Sequence, residues 1–329
     1  RHEQSFHTCP HSLIETSCRR DSSTHPRPDA PDSTVLPSET AARCIFSRRE
    51  TMAAFLSAWQ FDLFVGANLL LAAGLYLVGL RRVVGPWPRW RTIVYIVGLV
   101  LLAAVYLGPI GAWSHTFFWS HMTQHLVVTM VAAPMLVLGA PVTLAFRASG
   151  DAHRRAIVRV LRSRAVHRLT DPVATWVLFA AVIVGAHFTA FYDWSLANHG
   201  AMVVVEQPLF LGAAILYYLP LLGGNLLPNR PRPAVRLISL ATMMIPEALV
   251  GATIYFSPVV LYDGYDTDRS FGLTALQDQQ MSGALMWALV MVVDSFWMMW
   301  VAGEWWTDEE RRSRHCLLYT SDAADDTPC

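Results

Sequence analysis

Seven stretches of mostly apolar residues, about 61–80, 92–110, 121–146, 173–191, 201–222, 235–256 and 281–303, constrain this chain more than any other feature. A hydrocarbon core about 30 Å thick takes a helix of roughly 20 residues. In lipid the backbone has no water to bond with, so a spanning segment of this kind must close its hydrogen bonds as a helix. The expected fold is therefore all-α: a polytopic bundle of seven transmembrane helices. Composition agrees, because 53% hydrophobic and 15% charged residues are too apolar a mixture for a soluble chain of 329 residues. Pro134, Pro141, Pro208, Pro220 and Pro246 fall within these stretches, where neighbouring helices must satisfy the carbonyls that proline frees.

Arginine placement predicts the orientation, since short cytoplasmic loops collect positive charge. The first loop holds Arg81, Arg82, Arg89 and Arg91, the third runs from Arg147 to Arg168 with five further arginines between, and the fifth holds Arg230, Arg232 and Arg236. The second loop has none, the fourth has only Asp193, and the sixth sets Arg269 against Asp263, Asp266, Asp268 and Asp278. This pattern predicts an N-terminus outside and a C-terminus in the cytoplasm. Net charge is zero, so there is no electrostatic footprint for nucleic acid.

The ends read differently from the middle. Residues 1–51 carry seven Arg, seven Asp or Glu and five Pro without an apolar run, the composition of a disordered segment. They are expected to be upstream read-through before Met52. Residues 316–329 break abruptly with what precedes them and read as a non-native, adapter-derived tail, which leaves 52–315 as the membrane domain. All five cysteines lie outside that domain. A disulfide framework or a thiolate metal site in the core is thereby excluded.

Within this orientation the histidines and carboxylates near the outer face form a candidate metal site. His121 and His125, four residues apart, project from one face of the third helix. His187 lies one turn from the outer end of the fourth, and His199 just before the fifth. Glu206 falls seven residues after His199, Asp193 lies in the fourth loop, and Asp278 opens the seventh helix. Imidazole suits copper, zinc, iron and nickel, and soft thioethers select Cu(I). Met122, Met130 and Met202 supply such thioethers nearby, which favours copper. The remaining core methionines, Met243, Met244, Met286, Met291, Met298 and Met299, read as packing residues. Interfacial histidines also serve as partners of lipid headgroups or water, so each residue alone admits a plainer role. Glu247 and Asp294 lie deeper; a charge at the bilayer centre costs at least about 2.5 kcal/mol, so both are expected to face the bundle interior.

No phosphate-binding glycine loop, Gly-x-Ser-x-Gly elbow or His-Glu-x-x-His is present, so the chain is not read as an enzyme. His121-Met-Thr-Gln-His125 with the run on to Pro141 closely resembles the signature span of the CtaG family, the multispan cytochrome c oxidase assembly factors. His187-Phe-Thr-Ala-Phe-Tyr-Asp193, Glu206-Gln-Pro-Leu-Phe-Leu-Gly212 and Asp278-Gln-Gln-Met-Ser-Gly-Ala-Leu-Met-Trp287 agree with it in order.

The resemblance implies a bacterial plasma-membrane protein of the respiratory chain that supplies copper to a cytochrome c oxidase subunit at the outer face. By motif, its functional positions are His121, His125, His187, Glu206 and Asp278. Many relatives have Glu-His where this chain has Glu206-Gln207, so either His199 supplies the missing imidazole or the site is depleted. Two other classes stay open at this level: a haem- or quinone-linked membrane oxidoreductase, and a proton-coupled transporter relaying protons through Glu247 and Asp294.

Overall fold

The structure, a computed structural model, describes residues 53, 55–223, 230–265 and 273–325, and at positions 199, 263 and 315–325 the backbone alone. The expected read-through segment 1–51 and the last four residues lie outside the described residues. Among the described residues the chain is helical, with no strand. Six helices are long and apolar enough to cross a membrane, and a bent pair makes a seventh if it is counted as one span. In chain order they are α1 (Leu63–Arg82), α2 (Arg89–Trp113), α3 (Phe118–Ala148), α4 (Pro172–Phe188), α5 (Met202–Leu222), α6 (Pro233–Phe256) and α7 (Ala275–Arg314). The α4 helix has 17 residues and turns by 69° into the short helix Phe191–Ala197. The backbone of α7 continues as helix to Asp325, through the expected boundary at 316.

Local chemistry sets the starts of these helices. The Asp62 carboxylate accepts from the Val65 amide at 2.9 Å and caps α1. Asp171 accepts from the amides of Val173 and Ala174 ahead of α4, with Pro172 in the first turn where its missing N–H costs nothing. The arginine-rich segment between α3 and α4, read from sequence as a loop, contains the helix Asp151–Leu161 with no buried residue. Its Arg154, Arg155 and Arg159 alternate with Ile157, Val158, Val160 and Leu161, the pattern of a helix lying along a membrane surface.

Two apolar cores organise the bundle. One joins α3 to α7 around Phe118, Met122, Phe179, Tyr217 and Val290. The other packs α1 and α2 on the far side of α3 around Tyr76, Leu99, Leu102 and Val128. The α3 helix is the most enclosed span and α1 the least, with Leu70, Leu71 and Leu75 exposed on its outer face. An apolar outer face of this kind is at home in lipid.

Small residues let α6 and α7 touch. A Cβ on Gly283 would sit 2.5 Å from the Tyr255 amide nitrogen and 2.6 Å from the Gly251 carbonyl oxygen. Only glycine permits that approach, the usual device of membrane helix pairs. At one end of this pair Arg236 and Arg230 hold Glu304 at 2.8 and 3.0 Å. At the other end stands Asp278, beside the start of α3.

Proline shapes α3. Pro134 lacks the N–H that an α-helix would give to the Met130 carbonyl, and the Trp297 indole of α7 donates to that oxygen instead at 2.8 Å. Upstream of Pro134, Val127–Ala132 widens to a π-helix. Further on, Ala140 takes a left-handed conformation with φ of 50° just before Pro141 and breaks the helix there.

Candidate metal centre

The site begins with how α3 is anchored. The Asp278 carboxylate of α7 reaches across to the first turn of α3 and accepts from the amides of Phe118 at 2.8 Å and Trp119 at 2.9 Å. Both donors are ones that a helix start leaves without an internal partner, and a negative charge there also opposes the helix dipole favourably. His121 follows within the same turn and His125 one turn later.

From α5, Glu206 enters between them. Its Oε1 lies 2.9 Å from His121 Nε2 and 2.9 Å from His125 Nε2, while the two Nε2 atoms are 2.6 Å apart. His121 and Glu206 are each 1% exposed, and the His125 side chain 12%. Glu206 closes a π-helical stretch, Met202–Glu206, just ahead of Pro208. The site is thus flanked by two widened helical turns, a form that concentrates at functional positions. The second Glu206 oxygen accepts a hydrogen bond from the Ser195 hydroxyl on the bent continuation of α4. Aromatic rings wall the group: Tyr192 stands edge-on to His121 at 5.1 Å and Phe210 covers His125 at 4.1 Å.

With Glu206 ionised and no cation bound, protons alone satisfy this triangle poorly. If both imidazoles present Nε2–H to Glu206, two hydrogens collide in the 2.6 Å gap. If one presents a lone pair, that lone pair opposes the carboxylate oxygen at 2.9 Å. A cation bound by all three atoms removes the conflict, and these three residues are the group of His, Cys, Asp or Glu found close enough to share one ion among the described residues. Metal–nitrogen bonds of about 2.0 Å hold tetrahedral ligands roughly 3.3 Å apart, so binding would lengthen the two Glu206 edges by about 0.4 Å and move the imidazole nitrogens about 0.7 Å further apart.

The other residues expected at the site are placed differently. The His187 ring lies 6.4 Å from that of His125, outside the triangle. Its Nδ1 bonds the Ile183 carbonyl at 2.7 Å, and its Nε2 is buried without a hydrogen-bond partner. Asp278 spends both oxygens on the α3 amides. Asp193 sits on the exposed side of the helix Phe191–Ala197, and its charge, after burial, pushes the Tyr262 hydroxyl above its ordinary value. The His199 side chain lies outside the described residues. Gln207 turns away from the triangle, into an apolar groove lined by Tyr106 and Val203. Ser195 and Tyr192 were not legible as site residues, since nothing in Tyr192-Asp-Trp-Ser195 marks them before α4 is seen to bend. Glu247 and Asp294, each 2% exposed, face the interior from α6 and α7, with the Tyr218 hydroxyl 3.5 Å from Asp294.

Relatives place this chain. Two proteins, from Mycobacterium bovis and Mycobacterium tuberculosis, are each 29% identical over 303 residues, which cover 84% of this chain and 44% of theirs. One from Mycobacterium leprae is 25% identical over 263 residues, covering 75% and 40%. All three bear the description "uncharacterized protein", and the chain spans less than half the length of each. No solved structure gives a significant match. The family model described as cytochrome c oxidase caa3 assembly factor (CtaG) matches residues 74–308, a stretch that holds the triangle and the bundle apart from the first turns of α1 and the end of α7, and the chain belongs to that family.

Proposed function

We propose that this protein is a non-catalytic assembly factor that carries copper on His121, His125 and Glu206 at the outer face of the bacterial plasma membrane and hands it to a cytochrome c oxidase subunit. The observation that carries this reading is the buried convergence of two imidazoles and a carboxylate from α3 and α5. Copper is the cargo, and transfer is ligand exchange: the donors here bind it reversibly and the recipient's own ligands bind it more tightly. The arginine-rich ends of α1, α3 and α6 face the cytoplasm in this reading, the N-terminal end of the bundle lies outside, and the Arg236–Glu304 end is remote from the copper.

The haem-linked alternative draws no support from this geometry. That alternative holds haem between two histidines on different helices, such as His125 of α3 and His187 of α4. The cavity beside His125 and His187 is about 20 Å³, far too small for a porphyrin.

The decisive experiment replaces His121 and His125 together with Ala. Loss of oxidase activity in membranes that hold the usual amount of the variant is the expected result. Full oxidase activity in that strain overturns the proposal.

A further inference from the structure

Below the triangle, α3, α4, α5, α6 and α7 enclose a cavity of about 20 Å³. Its walls include Met122, Met130, Met286, His125, His187 and Glu247. That volume admits one water molecule or one bare ion. One of its polar atoms, His187 Nε2, is buried with no hydrogen-bond partner. Buried polar atoms in this condition are rare and call for a reason.

The His187 tautomer narrows the choice of ligand. Its Nδ1 faces the Ile183 carbonyl at 2.7 Å, and an oxygen acceptor there requires the proton on Nδ1. Nε2 therefore carries a lone pair, and it is a lone pair rather than an N–H that is left over. An imidazole held through Nδ1–H by a backbone carbonyl, with Nε2 free, is the form in which histidine binds metals. Three thioethers share the cavity, and soft sulfur selects a monovalent d10 cation over hard ions. The Glu247 carboxyl also faces this cavity and pairs with Asp294; loss of a proton from that pair on metal entry would leave the one negative charge that balances a single positive charge in a low-dielectric interior.

We infer that this cavity is a second, inner site for Cu(I), bound by His187 Nε2 and the thioethers of Met122, Met130 and Met286 with Glu247 as counter-charge. His125 lines the cavity and belongs to the triangle as well, so it joins the two positions. The inference takes its cargo from the copper-carrier reading but stands on separate atoms.

The test uses the full chain in lipid nanodiscs, labelled with selenomethionine, reduced, and titrated anaerobically with Cu(I) against a competing chelator. A copper–selenium shell in the copper-edge absorption spectrum is expected, with a second equivalent of metal bound. Replacing Met122, Met130 and Met286 by Leu, which nearly conserves volume, should remove that equivalent or weaken it at least tenfold. His187→Gln should weaken it likewise, and the selenium shell should survive His121→Ala with His125→Ala. Copper bound to the wild-type protein with nitrogen and oxygen neighbours only overturns the inner site and leaves the triangle standing. A selenium shell in a protein whose His121 and His125 prove dispensable for oxidase maturation overturns the carrier reading instead.

Discussion

Asp278 of α7 holds the first two amides of α3, those of Phe118 and Trp119, at 2.8 and 2.9 Å across 160 and 159 residues of chain. The residue that resembled a ligand by motif is thus the clamp that sets where His121 stands. Asp278→Ala leaves two buried amides without acceptors and should lower stability by about 2 kcal/mol. Asp278→Asn, which keeps one oxygen acceptor, should recover part of it. Thermal unfolding in detergent measures the difference, and copper affinity should fall in the same order.

Glu206 is the one carboxylate in the triangle, so under the proposed copper-carrier reading Glu206→Gln should weaken copper binding by more than tenfold while the protein still folds. Ser195→Ala removes only the hydroxyl that orients the second Glu206 oxygen. Losses of about 10- to 100-fold are usual for such outer partners, and this neutral hydroxyl is expected at the low end. Competition with a chelator of known affinity ranks the two. Equal losses would mean that Glu206 serves Ser195 rather than metal.

The α6–α7 contact offers a packing test with an internal control. Gly283→Ala puts a methyl group 2.5 Å from the Tyr255 nitrogen, and the helices must separate, at a cost of about 1–3 kcal/mol. Gly185→Ala in α4 meets nothing within 4 Å. It should be neutral or stabilising by about 0.5 kcal/mol. Unfolding midpoints of the two variants settle it.

Trp297 and Pro134 are coupled through the Met130 carbonyl. Trp297→Phe keeps an aromatic ring but removes the indole N–H and part of the buried volume, with an expected loss of about 1–2 kcal/mol for the donor alone. Pro134→Ala restores a backbone N–H in reach of the same oxygen, so the Trp297→Phe loss should shrink in that background. A double-mutant cycle reads the coupling directly. Strict additivity would show that the indole contributes by packing alone.

How far the residues spoke for themselves differs between elements. Helix existence was legible because a span needs only length and apolarity: the stretch expected at 121–146 is the helix Phe118–Ala148, and that at 235–256 is Pro233–Phe256. The arginine-rich 151–161 segment was read as loop because charge count hid its helical alternation with Ile157 and Leu161. The pairing of His121 with His125 was legible as well, since both lie on one helix at a spacing fixed by 3.6 residues per turn.

Glu206 shared only a membrane face with that pair in the sequence. Whether it met them depended on the π-turn before Gln207, which sets which face of α5 carries the carboxylate, and on how α5 packs against α3. The same packing placed His187 outside the triangle and against the methionines, and it turned Met286 from filler into a cavity wall. Spans and the histidine pair follow from local rules that act within a few turns of chain. The triangle joins atoms 81 and 85 residues apart, and such a distance is closed only by packed helices, proline-shaped turns and a cap lent by α7.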